Sequence, residues 1–445
     1  MKKLIGLGVV LIGALVSAFY FLDAQSDKFP GVMVENSDVF DRVIVIPDET
    51  APQVQTYLIF PHGEMHNPYA VGMAHYVEHL AYANMKDDSQ QPLPAHSNAW
   101  TNPHTTGYWM AGPAENFPAT LRRLITVSKP LQVSAEYALS ERDIIQREYE
   151  RRNSENYLAP FFNDMSRILH NDGPLSRSVI GQPDDIAMYR LDDAMALHAR
   201  AHQLGQATLL VYGNISHAAV QSEMAALDRS KPMAAAPPRA PLDLGPVVPL
   251  FERKTENLDH QAQELMVFQQ LVATTPCANF VECAAILSLT KNSVDTTEPG
   301  GIAGPLRFDN FLARSFDFYM YYAAPDRILV QFLAWPDVDV SVAELDQAFV
   351  AVWNDVTLSG IPVDTIERKR QHLLTDIDSI LPKDRAGAEF SHVLELLSQN
   401  QPIFDLNTWR ANLQKVSAQQ VNSRLASLHN NGRIVIRNLT HNPQN

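Results

Sequence analysis

His75-Tyr76-Val77-Glu78-His79 decides how this chain is read. On a helix, residues four apart share a face, so His75 and His79 can turn two imidazole nitrogens toward one metal ion. Glu78 lies beside His79 on nearly the same face, placed to act on a water without itself being a ligand. Two imidazoles hold a divalent ion poorly, so a third ligand must come from elsewhere in the chain and a fourth position must stay open for chemistry. Alone, the five residues also fit a surface helix with two solvated histidines and a glutamate. The surrounding chain has to separate the two readings.

Upstream of the motif, Arg42 to Ile46 and Gln53 to Phe60 read as strands, the second with Val54, Thr56, Leu58 and Phe60 on one face. The motif falls in a helix from about Tyr69 to Met85. Downstream, Phe117 to Val127 carries Leu121, Leu124 and Ile125 at helical spacing, Ser134 to Glu155 is a long charged helix, and Ala207 to Tyr212 returns to strand. The run from Lys231 to Leu250 holds Pro232, Pro237, Pro238, Pro241, Pro246 and Pro249, a density that forbids a regular helix and suits an extended linker. Beyond it, Ile328 to Ala334 alternates as a strand, while Val342 to Val356 and Asp364 to Ile380 have helical spacing. Both halves are α+β in kind. That suggests a tandem duplication, although no residue-level repeat is visible.

The N-terminus opens with Lys2 and Lys3, and residues 4–22 are apolar or small up to Asp23. This stretch reads as an export signal, long for a cleaved core and just adequate for a membrane span, so it is either a signal peptide or a signal anchor. Val16-Ser17-Ala18 is a fair cleavage pattern, and the positive-inside rule puts the body outside the cytoplasm in both cases. The expected organisation is residues 1–24 as signal or anchor, 25–230 and 251–445 as domains, and 231–250 as the linker. Of the 445 residues, 35 are Lys or Arg and 50 Asp or Glu, a formal net charge of −15. That balance argues against nucleic acid as a partner. The Gly-rich stretch from Pro299 to Pro305 lacks the Lys-Ser/Thr ending of a nucleotide loop. Cys277 and Cys283 are the only cysteines. A bond between them is left open, because a regular helix spanning both would hold them too far apart.

His75 to His79 has the inverted zinc-peptidase pattern H-x-x-E-H, and several segments around it extend the match. Gly72-Met73-Ala74 and Leu80 flank it. Asn98-Ala99-Trp100-Thr101 is followed by Thr106 and Tyr108, Glu141 and Glu148 stand seven apart, and Gly181-Gln182-Pro183 with Ile186 and Val211-Tyr212-Gly213-Asn214-Ile215 come later. On these segments the chain resembles the pitrilysin family, which includes insulysin, the mitochondrial processing peptidase and many bacterial two-domain members. The resemblance covers nearly the whole exported part.

It implies two homologous pitrilysin-like α/β domains of α+β class and a Zn²⁺ held by His75, His79 and Glu148, with Glu141 supporting from behind and Glu78 as general base. Glu141 itself, Glu136 and Glu150 are the rival third ligands. Asn98, Ala99, Trp100 and Thr101 correspond to an edge strand on which the peptide substrate is laid. In the second half, the resemblance implies a glycine-rich turn leading to a helix with Leu-x-Arg or Leu-Arg and a tyrosine seven residues beyond. Leu312-Ala313-Arg314 and Tyr321 fit that spacing, with Tyr319 and Tyr322 as neighbouring competitors, and the pair would bind substrate carbonyls and steady an oxyanion. The implied function is zinc-dependent hydrolysis of peptides or unfolded polypeptides in the periplasm. The chain would be soluble or tethered to the inner membrane through residues 4–22, working as a homodimer or with a second pitrilysin-like chain. One departure is the spacing from His79 to Glu148, several residues short of typical members, which points to trimmed loops after Met85. The alternative function is a non-catalytic scaffold or partner subunit.

Overall fold

The computed structural model describes residues 33–35, 37–86, 96–155, 158–227, 242–257 and 263–441. The export segment, most of the expected linker and the loop after Met85 lie outside the described residues. No helix among the described residues is long and apolar enough to cross a membrane.

Strands β1 (Met33–Glu35), β2 (Arg42–Pro47), β3 (Val54–Phe60), β4 (Ser97–Thr101), β5 (Thr106–Gly112) and β6 (Thr208–Gly213) form one sheet, in the order β1-β2-β6-β3-β5-β4. A second sheet contains β7 (Leu250–Asn257), β8 (Leu265–Ala273), β9 (Ala313–Ala324), β10 (Arg327–Pro336) and β11 (Arg433–Thr440), in the order β7-β11-β8-β10-β9. β2 runs parallel to β6 and β7 parallel to β11, and every other pairing from β2 onward is antiparallel. The second sheet therefore repeats β2 to β6 strand for strand. The duplication that the residues hide is plain in the topology.

The helices of the first half are α1 (Met73–Lys86), α2 (Phe117–Leu124), α3 (Ala135–Glu155), α4 (Ala159–Leu169), α5 (Pro183–Ala187), α6 (Leu191–Ala201) and α7 (His217–Ala226). Those of the second are α8 (Phe280–Val294), α9 (Val342–Ser359), α10 (Val363–Ile380), α11 (Arg385–Ser398), α12 (Leu406–Lys415) and α13 (Ala418–Leu428). α1 and α8 occupy the same place in the two repeats, after the second core strand, yet only α1 carries the histidine motif. α8 starts at Phe280, so Cys277 precedes the helix, its Cα lies 6.4 Å from that of Cys283, and the disulfide forms. The helical start between the two cysteines resolves what the spacing left open.

Strand β3 is buried on both faces. Val54, Leu58 and Phe60 meet α1 in one core, while Tyr57 and Ile59 turn to the other side with Ile44, Ile46 and Leu210. That outer face is covered by Val393 and Leu397 of α11, which belongs to the second half. The first half reciprocates: Met165 and Leu169 of α4 pack on Leu265, Val267, Leu271, Leu329 and Val435 of the second sheet. Each sheet is thus closed by a helix from the other half, which is why the central strands β3, β6 and β8 read as nearly continuous apolar runs.

Candidate metal centre

Helix α1 carries two stripes. Met73, Tyr76, Val77, Leu80 and Ala81 recur at helical spacing and enter the core beneath the sheet. His75, Glu78 and His79 form the adjacent stripe, which faces α3 and strand β4. The helix begins at Gly72, whose φ of +84° favours glycine, and a Cβ there would come within 2.2 Å of the Tyr189 hydroxyl. Helix α3 presents Ala138, Glu141, Ile145 and Glu148 along its inward side, while Glu136 and Glu150 are exposed.

His75, His79 and Glu148 each bring one ligand-type atom within 4.8 Å of the others. His75 Nε2 lies 3.7 Å and His79 Nε2 3.8 Å from the same oxygen, Glu148 Oε2. These separations are too long for hydrogen bonds. They approach the spacing of about 3.4 Å between ligand atoms that share a tetrahedral zinc at bonds of about 2.0–2.1 Å. The donor set of two imidazoles and a carboxylate is the chemistry of a catalytic zinc, so the residues fit the metal. The other carboxylate oxygen of Glu148 pairs with Arg152 one turn on.

Behind this cluster, Glu141 Oε2 lies 2.9 Å from His79 Nδ1, which leaves His79 Nε2 directed at Glu148. A carboxylate on the far ring nitrogen is the usual arrangement behind a metal-bound histidine. Burial works against a charge on His79, but the bond to Glu141 and the charges of Glu78, Glu141 and Glu148 outweigh it and raise its pKa. His75 is buried and stays neutral, its pKa pushed down to about 3 by desolvation, with His79 and Arg152 adding repulsion. Burial pushes Glu78 up to about 7, opposed by a 2.7 Å hydrogen bond donated by the Thr101 hydroxyl.

The structure places Asn98 to Thr101 in β4, at the edge of the first sheet, paired on one side to β5. The side chains of Ala99 and Thr101 face α1. Trp100 turns to the opposite face, where it packs against Tyr57 with ring centroids 6.1 Å apart, and Asn98 shares that side. A direct link from Thr101 to the glutamate of the motif is not visible in the sequence, because it joins two segments through the fold.

In the second half, the expected helix does not contain Arg314. The glycine-rich turn leads to a short helical segment, Gly304–Phe308, that bears Leu306-Arg307, and Arg314 lies in β9. Seven residues beyond Arg307 is Arg314, not a tyrosine. Seven residues span about 10 Å on a helix but about 23 Å on a strand, so Arg314 and Tyr321 are far apart along β9. Arg314 donates a 3.1 Å hydrogen bond to Gln263 Oε1. Tyr319 and Tyr321 project from the exposed side of β9 and Tyr322 is buried. All three border a cavity of about 840 Å³, which also takes in His104 just past β4, His392 of α11 and Trp409 of α12. The three residues of the metal cluster are not among its lining residues.

Residues 42–182 match the family described as Insulinase (Peptidase family M16). Over that stretch the chain is similar to the pitrilysin (M16) family, and the fold agrees. The mitochondrial-processing peptidase subunit beta of Saccharomyces cerevisiae is 26% identical over 153 residues, 33% of this chain and 33% of that protein. The chain therefore matches about a third of the length of this relative. Among solved structures, the periplasmic protease PqqL from Escherichia coli aligns with a TM-score of 0.74 at 15% identity, over 93% of this chain and 48% of that one. A peptidase M16 inactive domain from Pseudomonas fluorescens aligns with a TM-score of 0.74 at 14% identity, over 92% of this chain and 98% of that one. Such identities carry the fold alone, the two-domain M16 arrangement.

Proposed function

We propose that this chain is a zinc-dependent endopeptidase acting on peptides or unfolded polypeptides outside the cytoplasm. The observation that carries the reading is the convergence of His75, His79 and Glu148 on one point with Glu78 beside them. Zinc at that point would supply a Lewis acid that polarises a peptide carbonyl and makes a water acidic near neutral pH. His75, His79 and Glu148 would hold the metal, with Glu141 fixing the His79 ring. Glu78, steadied by Thr101, takes the proton from the attacking water and passes it to the leaving amine. The peptide lies extended on the free edge of β4, hydrogen-bonded through its backbone, which reads main chain more than side chain. Tyr321 contacts a substrate carbonyl from the cavity, and Arg314 is too distant along β9 to share it.

The metal-bearing domain of this proposal is residues 25–230, joined through 231–250 to a second domain, 251–445. Residues 1–24 act as signal peptide or, through 4–22, as an inner-membrane anchor. The similarity in fold to a protein described as a periplasmic protease supports the compartment. A homodimer, or a second chain of the same fold, completes the enclosure around the substrate. Light scattering on residues 25–445 tests this, and a fully active monomer would refute it.

The decisive experiment is zinc content measured together with cleavage of a quenched peptide, before and after chelation. One bound zinc, chelator-sensitive cleavage, and a Glu78→Gln variant that keeps zinc but loses about 10²–10⁴-fold in rate are expected. A chain without zinc, or with cleavage untouched by chelation, would overturn the reading. A second reading, a partner subunit of an active peptidase, is favoured by one observation. The resemblance calls for a tyrosine seven residues after the helical arginine, and this chain has Arg314 there. Zinc bound without cleavage by the chain alone would select it.

A further inference from the structure

The carboxylate of Glu64 lies outside the motif, fully buried at the start of the helix that carries it. Its Oε1 accepts hydrogen bonds from the Gly72 amide at 2.9 Å, Asn67 Nδ2 at 3.0 Å and Arg177 Nε at 3.0 Å. Its Oε2 accepts one from the Ala74 amide at 3.2 Å. The first amides of a helix have no partner within the helix and need an acceptor from outside. No Ser, Thr, Asp or Asn stands at position 72 to supply one, and Glu64 does so from eight residues upstream. A carboxylate is also the charge that a helix N-terminus favours.

The backbone of the same turn reaches the other side of the candidate site. The amides of Glu64 and Met65 donate to the carbonyls of Asn102 and Pro103, both at 3.0 Å, immediately after Thr101. Gly63 lies so close to that loop that a Cβ would come within 2.2 Å of the Asn102 carbonyl oxygen. One residue thus ties the start of α1 to the end of β4. Between these two anchors lies the contact of Thr101 with Glu78, and one residue past Ala74 comes His75.

We propose that Glu64 is a positioning residue: its buried carboxylate fixes the first turn of α1 against β4, so that His75 and His79 meet Glu148, and Glu78 meets Thr101. This rests on the zinc reading for its consequence, although the clamp itself does not require a metal.

The test uses the full chain and two variants. Glu64→Gln keeps the shape but sets an amide group against the helix amides and deprives Arg177 of its anion. Arg177→Met leaves the carboxylate on the helix. Glu64→Gln is expected to weaken zinc about 10–100-fold in a chelator competition, to shift the visible absorption of the cobalt-substituted protein, and to speed deuterium exchange at the amides of residues 72–76 in the metal-free chain. Arg177→Met should stay within about threefold of the native zinc affinity. The double variant Glu64→Gln/Arg177→Met should recover melting temperature but not zinc affinity.

Native zinc affinity in Glu64→Gln together with a lowered melting temperature would reduce Glu64 to a stabiliser of the fold and overturn the proposal. Full recovery of affinity in the double variant would assign the loss to an unpaired guanidinium, with the same result. Should Glu64→Gln not fold, Glu64→Asp, whose shorter side chain cannot reach both helix amides, takes its place, and native affinity there would also overturn the proposal. A native chain that binds no zinc would sink the proposed function instead. The exchange measurement would then still decide whether Glu64 holds the helix.

Discussion

Separating the two halves should unfold the one that bears the metal cluster. The outer face of the first sheet buries Ile44, Ile46, Tyr57, Ile59 and Leu210 under α11, which the second half supplies. Phe390 of that helix stacks on Tyr212 with ring centroids 4.3 Å apart. At about 1.5–3 kcal/mol for each large apolar side chain withdrawn from water, five such residues amount to roughly 7–15 kcal/mol. A compact unfolded chain reduces the figure. Even so, it equals the net stability of a typical domain, about 5–15 kcal/mol. Residues 25–230 made alone are therefore expected to bind a hydrophobic dye and to lack a cooperative thermal transition by circular dichroism, and residues 251–445 added in trans should abolish the dye binding and restore the transition. A point change makes the same case within the whole chain. Leu397→Ala should cost about 2–5 kcal/mol in urea unfolding, with zinc affinity unchanged while the chain stays folded. A fragment 25–230 that melts cooperatively within a few degrees of the whole chain would refute the argument that the halves close each other.

Three further outcomes follow from the site and its surroundings. Glu141→Gln should weaken zinc about 10–100-fold, because a neutral amide oxygen replaces the carboxylate that accepts from His79 Nδ1 and raises the basicity of the ring, whereas Glu148→Ala should lose zinc almost wholly. Full zinc occupancy in Glu148→Ala with loss in Glu141→Ala would exchange the two roles. Tyr321→Phe should lower turnover at normal zinc content and Tyr322→Phe, a change on the buried side, should not. A defect confined to Tyr319→Phe in steady-state kinetics would move the contact two residues along the strand. Replacing Cys277 and Cys283 together by serine should destabilise the second half by about 2 kcal/mol, the loop-entropy value for so short a ring. Denaturant midpoints equal to those of the oxidised chain would refute that.

The difference between what the residues reveal and what they hide lies in locality. The motif is legible because its geometry is internal to one helix: residues 75, 78 and 79 share a stripe whatever the rest of the chain does. Glu141, Ile145 and Glu148 recur along one side of α3 for the same reason, while the rivals Glu136 and Glu150 are told apart only by their exposure in the fold. Most strand and helix boundaries follow the apolar periodicity, as in β3, expected from Gln53 and found from Val54, while α1, expected from about Tyr69, begins only at Met73. What fails is any inference that needs to know which element a residue belongs to or which partner an element meets. Arg314 and Tyr321 share a face at two helical turns but stand far apart on a strand, and the spacing alone does not say which applies. The apolar side of α11 announces a buried face without naming the sheet beneath it, and that sheet lies in the other half. Glu64 is the sharpest case. Nothing in Gly63-Glu64-Met65-His66 distinguishes its glutamate from a solvated one until the chain returns to bring Gly72, Ala74 and Arg177 around it. A glycine rather than a side-chain cap at the start of so consequential a helix is the one local sign that an acceptor had to come from elsewhere.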